Sequence, residues 1–346
     1  MSPSLPASTQ PALSDDIKPP PQPRSFAVSL DTLPLNARGK VPEWTRGCLA
    51  GPDRAPLLVV LGGISANATV AYGPQGQAGW WQSLFGLGAP LGTDKYRVLG
   101  IDFAADDGGD YAPDTKEQAS IIADTLSGLD EQPLAIIGAS YGGMVALAFA
   151  ERFKLDTSLV IISASARPHP MSSAMRGLQR QVVALGLAHE CGSQALAIAR
   201  GMAMLTYRTR KEFGGRFAGG IPSGDPSAAS EPCSYLKARG SAFAGAMTPG
   251  RFLSLSASID RHSIAPEAIR CPALVIGVEE DTLVPVEDVA SLAAQLGGPT
   301  QYRVIHSVYG HDAFLKEPEM LGSLIRPFLE EARTKCTAPK FEAAKP

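Results

Sequence analysis

At 346 residues the chain has room for one large domain or two modest ones. A 45% hydrophobic and 19% charged composition, with a mean hydropathy of +0.02, is that of an ordinary globular sequence and excludes disorder throughout. The formal charge of -3, from 31 basic and 34 acidic residues, excludes a polybasic surface for nucleic acid or an anionic membrane.

Residues Met1 to Arg24 are rich in Pro and Ser and lack the basic and apolar regions of a secretory signal, so residues 1–24 are expected to form a disordered extension. Short apolar runs then alternate with helical patterns. Leu57–Leu61 is a buried-strand pattern ending at Gly62-Gly63, and Arg97–Asp102 is a second. Lys116–Leu129 has helical spacing, with Ile121, Ile122, Leu126 and Leu129 on one side. Leu134–Ile137 predicts a third strand, Gly143–Arg152 a helix and Ser158–Ile162 a fourth strand. The alternation breaks from about residue 167 to 264, where helical patterns (Met175–Leu187, Ser193–Leu205) surround a Gly/Pro/Ser-rich loop (Gly214–Glu231). It resumes with strand Ala273–Val278, helix Val286–Leu296, strand Gln301–Ile305 and a closing helix Leu315–Glu331, before a short tail over 334–346. Such alternation implies parallel strands with right-handed crossovers, hence a doubly wound, mostly parallel α/β sheet. The expected organisation is a core over 25–166 and 265–333, with 167–264 as a helical lid above the sheet's carboxyl edge. No apolar run approaches the roughly 18 residues of a membrane span. The five cysteines are scattered without a C-x-x-C pair, so a reducing, cytoplasmic setting is expected.

Gly138-Ala139-Ser140-Tyr141-Gly142 fits G-x-S-x-G, the nucleophile elbow of the α/β-hydrolase fold, and sits where that motif belongs, between a strand and a helix. The flanking glycines allow a sharp turn that lifts the Ser140 hydroxyl to the sheet edge. The hydroxyl needs a base, and in this fold the order along the chain is Ser, acid, His. Of His169, His189, His262, His306 and His311, only His311 lies in a loop after the last strand; His306 sits at the strand's end and is expected to be packed or on the surface. The acid should follow the preceding strand, where Glu279, Glu280 and Asp281 stand; Asp281 is favoured, being clear of the strand, with Glu280 its competitor. Backbone amides of Tyr141 and of Ile64 or Gly63 are the expected oxyanion donors. No phosphate-binding Gly loop or zinc-ligand spacing is present, so neither a metal nor a permanently bound cofactor is implied.

Four further stretches resemble the homoserine O-acyltransferase family. They are GWWQSLFGLGAPLGTDKYRV (Gly79–Val98), QALAIARGMAMLTYRT (Gln194–Thr209), SYLKARGSAFAGAMTPGRFLSLSASIDRHSI (Ser234–Ile264) and GHDAFL (Gly310–Leu315), in the family's order. The resemblance implies Ser140, Asp281 and His311 as a triad, and Arg200 and Asp312 as the residues that hold an amino-acid acceptor. A guanidinium for the acceptor's carboxylate and a carboxylate for its ammonium suit a zwitterion. The implied reaction is ping-pong transfer from succinyl-CoA or acetyl-CoA to L-homoserine in methionine biosynthesis, by a homodimer joined through the helical insertion. The family's Gly-rich stretch after the second strand is replaced here by Phe103–Thr115, so the chain is similar to a divergent, short, succinyl-type branch. Where some succinyl-type members carry arginine, two positions after the acid, this chain has Leu283; Arg176, Arg180 and Arg208 are alternative cations for a succinyl carboxylate. Rival readings are an L-serine O-acyltransferase, a carboxylesterase-type hydrolase and a small-molecule receptor on the hydrolase fold.

Overall fold

The structure is a computed structural model that describes residues 22–335, apart from 155, 218, 220–223, 226 and 227. The expected tails therefore lie largely outside the described residues, but both boundaries move: Arg24 already opens a strand, and the last helix runs to Lys335. Eight strands form one sheet: β1 (Arg24–Ser29), β2 (Trp44–Ala50), β3 (Leu57–Leu61), β4 (Arg97–Ile101), β5 (Ala135–Ala139), β6 (Ser158–Ile162), β7 (Ala273–Val278) and β8 (Thr300–Ile305). Their order is β1-β2-β4-β3-β5-β6-β7-β8. From β4 to β8 every neighbour is parallel, while β1–β2 and β2–β4 are antiparallel.

The inner strands β3 to β7 are buried at every residue, as expected of parallel strands covered on both faces. Alternate residues serve opposite faces. Val59, Ile136, Ile161 and Val275 meet the helices α2 (Thr115–Leu129), α3 (Tyr141–Arg152) and α9 (Val286–Gln295). Leu58, Ile137, Val160 and Ile276 meet α1 (Gln82–Phe85) and α11 (Pro318–Lys335) on the other side. The N-terminal pair β1–β2 carries no apolar run in the sequence. β1 is a half-exposed edge, and Gly47 of β2 lies opposite Phe26, whose ring lies over the glycine where a Cβ would otherwise project.

Two expected helices change shape. The predicted helix from Leu315 is divided into α10 (Ala313–Lys316) and α11, because Glu317 precedes Pro318 and is held outside the helical region at φ −117° and ψ 55°. The helix after the elbow starts at Tyr141 rather than Gly143, the two glycines forming its first turn. Between β6 and β7 stand α4 (Pro170–Ala188), α5 (Gly192–Tyr207), α6 (Arg210–Arg216), α7 (Glu231–Ala244) and α8 (Pro249–Asp260). Of these, α4, α5, α7 and α8 pack on a small core of Val183, Leu196, Ala199, Met247 and Phe252. α6 occupies the beginning of the stretch read from sequence as loop, its N-cap Thr209 accepting from the Glu212 amide. Among the described residues no helix is long and apolar enough to cross a membrane.

Candidate active site

Ser140 follows β5 directly, and its backbone adopts φ 55° and ψ −123°, a conformation that side-chain-bearing residues rarely take. The turn closes because its neighbours lack side chains. A Cβ at Gly138 would stand 2.3 Å from the Gly142 carbonyl oxygen, and one at Gly142 would stand 2.3 Å from that of Leu61. The Gly142 amide donates to the Gly62 carbonyl at 2.8 Å, tying the elbow to the loop after β3.

Three side chains from three loops converge here. His311 Nε2 stands 2.8 Å from Ser140 Oγ, and His311 Nδ1 stands 2.7 Å from Asp281 Oδ2. Asp281 lies in the turn after β7, where its Oδ1 accepts the amides of Leu283 and Val284, both at 2.9 Å. With Oδ1 engaged this way, Oδ2 is left to hold the imidazole. Burial works to lower the His311 pKa. The charge and hydrogen bond of Asp281, with Asp312 behind them, outweigh it and raise the pKa above the ordinary value, while Arg176 pulls the other way. The competing acid Glu280 faces elsewhere, accepting from the Ser307 amide at 2.8 Å and lying 3.4 Å from the exposed His306.

The remaining histidines stand away from Ser140. His169 caps the start of α4, and His189 stands at that helix's C-terminal end. His262 is buried between Thr115 Oγ1 at 2.8 Å and the Ser165 carbonyl at 3.2 Å, and burial pushes its pKa down to about 4. Among the described residues no group of three or more His, Cys, Asp or Glu is placed to hold a metal ion.

The segment around Gly79-Trp80-Trp81 supports the histidine loop. Trp81 is fully buried, donates from Nε1 to the Phe314 carbonyl at 2.7 Å, and meets the Phe314 ring edge to face. Phe314 in turn stands edge-on to the His311 ring. Behind the loop, Glu317 accepts from the Ser307 hydroxyl at 2.8 Å.

Above Ser140 lies a cavity of about 160 Å³. Its walls come from the loop after β3, from α4, α5 and α8, and from the loops after β7 and β8. Gly63, Ile64 and Tyr141 all line it. Tyr141 is the first helical residue, so its amide has no partner within the helix. Its phenol points the other way, into a buried pair with Ser258 at 2.6 Å.

Arg200 and Asp312 both reach this cavity. The structure does not pair them with each other. The Arg200 guanidinium lies over the rings of Tyr207 (5.2 Å) and Phe243 (4.7 Å) and has no carboxylate partner among the described residues. Asp312 Oδ2 stands 2.9 Å from Arg208 Nε, which is not aligned for a hydrogen bond. Arg176 and Arg180, one turn apart on α4, share the single carboxylate of Asp260 at 2.6 and 2.7 Å. Sequence spacing shows the two arginines on one helical face, but Asp260 lies 84 residues from Arg176 and nothing local announces it. Leu283 also lines the cavity, so the position two after Asp281 presents an apolar side chain there.

Residues 58–321 match the model of the alpha/beta hydrolase family. A homoserine O-succinyltransferase of Xanthomonas campestris is 38% identical, over 94% of this chain and 88% of that protein. A homoserine O-acetyltransferase of Thermus thermophilus is 32% identical over 73% of each chain, and a serine O-succinyltransferase of X. campestris is 29% identical over 81% of this chain and 89% of its own. Among solved structures, a homoserine O-acetyltransferase from Bacillus anthracis superposes with a TM-score of 0.76 at 14% identity, covering 89% of this chain and 97% of that one. At that identity the likeness speaks for the fold alone.

Proposed function

Because the chain belongs to the homoserine O-acyltransferase branch of the alpha/beta hydrolase family, we propose that it moves an acyl group from an acyl-CoA to the hydroxyl of L-homoserine through an ester on Ser140. His311 takes the proton of Ser140 as Oγ attacks the thioester carbonyl. The oxyanion is received by the amides of Tyr141 and Ile64, and the CoA thiolate leaves with the proton that His311 returns. In the second half the homoserine hydroxyl replaces CoA: His311 removes its proton, the alkoxide attacks the acyl-serine ester, and Ser140 recovers its hydrogen. Asp281 holds the imidazole with Nδ1 protonated, so that Nε2 is free to accept.

The observation that carries this reading is the charge arrangement beside the nucleophile. Arg200, with no carboxylate partner among the described residues, suits the acceptor's carboxylate, and Asp312 its ammonium. A plain esterase needs neither. Transfer must outrun hydrolysis by far more concentrated water, which requires an acceptor held in attack geometry under a closed roof. In this proposal the helices α4, α5 and α8 are that roof. Succinyl is the preferred acyl group over acetyl, in keeping with the 38% identical relative's name. The reaction belongs to methionine biosynthesis in the cytoplasm. The proposed homodimer would cover the exposed Met171 and Leu185 of α4 and the exposed Ile198 and Leu205 of α5. L-Serine, one methylene shorter, is the acceptor to test against homoserine, since a relative is named for it.

Intact mass spectrometry after mixing with succinyl-CoA or acetyl-CoA, followed by L-homoserine or L-serine, reads both halves. Ser140→Ala is expected to form no adduct. Arg200→Ala is expected to form the adduct and to discharge it to the amino acid about 100-fold more slowly. An Arg200→Ala enzyme blocked only in adduct formation would overturn the acceptor role. An adduct cleared by water as fast as by either amino acid would make the protein a hydrolase.

A further inference from the structure

Among the described residues, four ionisable side chains other than tyrosine line the cavity: Arg176, Arg200, His311 and Asp312. Their partners outside it determine what charge each position offers. His311 is matched by Asp281. Asp312 faces Arg208, and Glu212 behind it is shared by Arg208 and Arg216, so that corner is balanced while presenting the Asp312 carboxylate to the cavity. Arg200 has no carboxylate partner among the described residues and so offers one positive charge. Arg176, with Arg180, divides one carboxylate, Asp260, so that this wall is also net positive by one. An amino-acid zwitterion has a single carboxylate and a single ammonium. Its carboxylate suits Arg200 and its ammonium the Asp312 carboxylate, which leaves the Arg176 wall without a counter-charge.

The Arg176 side chain is nine-tenths buried, and its hydrogen bonds are one-sided. Nε and Nη2 both donate to Asp260 Oδ1, at 2.9 and 2.6 Å, and Nη2 also donates to Ser173 Oγ at 3.1 Å. Nη1 has no acceptor among the described residues. Nη1 is not among the buried unpartnered atoms, so this edge of the guanidinium is open to the cavity, where an anion can meet it. Arg180 spends its Nη1 on Asp260 and on Ser256, and it does not line the cavity; nor does Arg208. Of the three cations that the sequence leaves open, only Arg176 reaches the cavity. It lines the same cavity as Ser140 and His311, on the wall that α4 supplies.

We propose that Arg176, held in place by Asp260, receives the free carboxylate of a dicarboxylic acyl group, so that the enzyme selects a succinyl-type thioester over a neutral one of the same length. This rests on the acyl-Ser140 reading above and adds the residue that selects the donor. Rigid presentation by Asp260 makes the pairing selective: the guanidinium is ordered before the donor arrives, and Arg180 still compensates Asp260 if Arg176 is replaced.

The test uses the first half-reaction, release of CoA thiol, with succinyl-CoA and with butyryl-CoA, which has the same chain length without the charge. The native enzyme is expected to favour succinyl-CoA in kcat/KM by about 10- to 100-fold, the range for one buried charge-assisted pair. In Arg176→Gln that ratio is expected to collapse towards one. A native enzyme that forms the Ser140 adduct equally well from both thioesters overturns this proposal and leaves the acyl-enzyme reading standing. So does an Arg176→Gln enzyme that keeps the native ratio. Absence of any Ser140 adduct, from any thioester, overturns both. The native comparison needs no variant, so the outcome does not depend on Arg176→Gln folding.

Discussion

Replacing Asp281 with Asn keeps the size of the side chain and tests the electrostatic logic of the site. The hydrogen bonds dictate which way the amide must sit. The oxygen that accepts the Leu283 and Val284 amides has to remain an acceptor, so Asn would place its carbonyl there and its NH2 where Oδ2 now faces His311 Nδ1. An NH2 at that position can only donate, which forces Nδ1 to accept and moves the ring proton to Nε2. Nε2 would then donate to Ser140 Oγ instead of accepting from it, and the base is lost. Flipping the amide restores the tautomer but aims NH2 at two amides, leaving two buried donors unsatisfied at about 1–3 kcal/mol each. The total, about 2–6 kcal/mol, corresponds to a rate loss between about 30-fold and about 10⁴-fold. The same change in serine-protease triads costs about 10⁴-fold. Release of CoA thiol under single-turnover conditions, with circular dichroism to confirm the fold, measures it. The pH profile adds an independent reading. Because the carboxylate raises the His311 pKa, the acidic limb of the native kcat/KM profile is expected above pH 6.5. In Asp281→Asn, burial is opposed only by the more weakly acting Asp312, and the limb moves to lower pH. A folded Asp281→Asn enzyme within tenfold of native, or one whose acidic limb stays in place, would refute this reasoning.

Two further outcomes follow from packing and from a buried histidine. Gly142→Ala drives a Cβ against the Leu61 carbonyl and should lower stability by about 3 kcal/mol or more in urea unfolding, whereas Gly128→Ala, in open space on α2, should raise it by about 0.5–1 kcal/mol. Equal effects from the two substitutions would contradict the crowded elbow. His262 is held neutral with a folded pKa of about 4 against an ordinary 6.5, so between these values the unfolded chain binds a proton that the folded one refuses. Its effect is absent above pH 6.5 and removes up to about 3 kcal/mol of stability as pH falls to 4. His311 contributes with the opposite sign, so the comparison is with His262→Gln, whose stability should fall less steeply over that window. Identical slopes would show that His262 is not the group responsible.

The inner strands were legible in the sequence because parallel strands buried on both faces read as unbroken apolar runs, as in Leu57–Leu61 and Ala273–Val278. β1 and β2 were not, because an edge pair in which Phe26 lies over Gly47 carries neither a run nor a clean alternation. The breaks that went unread, at Pro318 and at the start of α3, depend on one residue's backbone angles, which periodicity averages away. Ser140, Asp281 and His311 could be nominated from the sequence because the fold places one chemical group after each of three particular strands, and spacing along the chain identifies those strands. What each group faces was not available there. The choice of Asp281 over Glu280 rests on which carboxylate the turn after β7 aims at the imidazole. The separation of Arg200 from Arg176 rests on contacts with Phe243 and with Asp260, residues 43 and 84 positions away in the chain. Local order is written in neighbouring residues, and so the chain alone determines it. Charge balance in a cavity is a sum over groups from distant segments, and only the folded chain performs that sum.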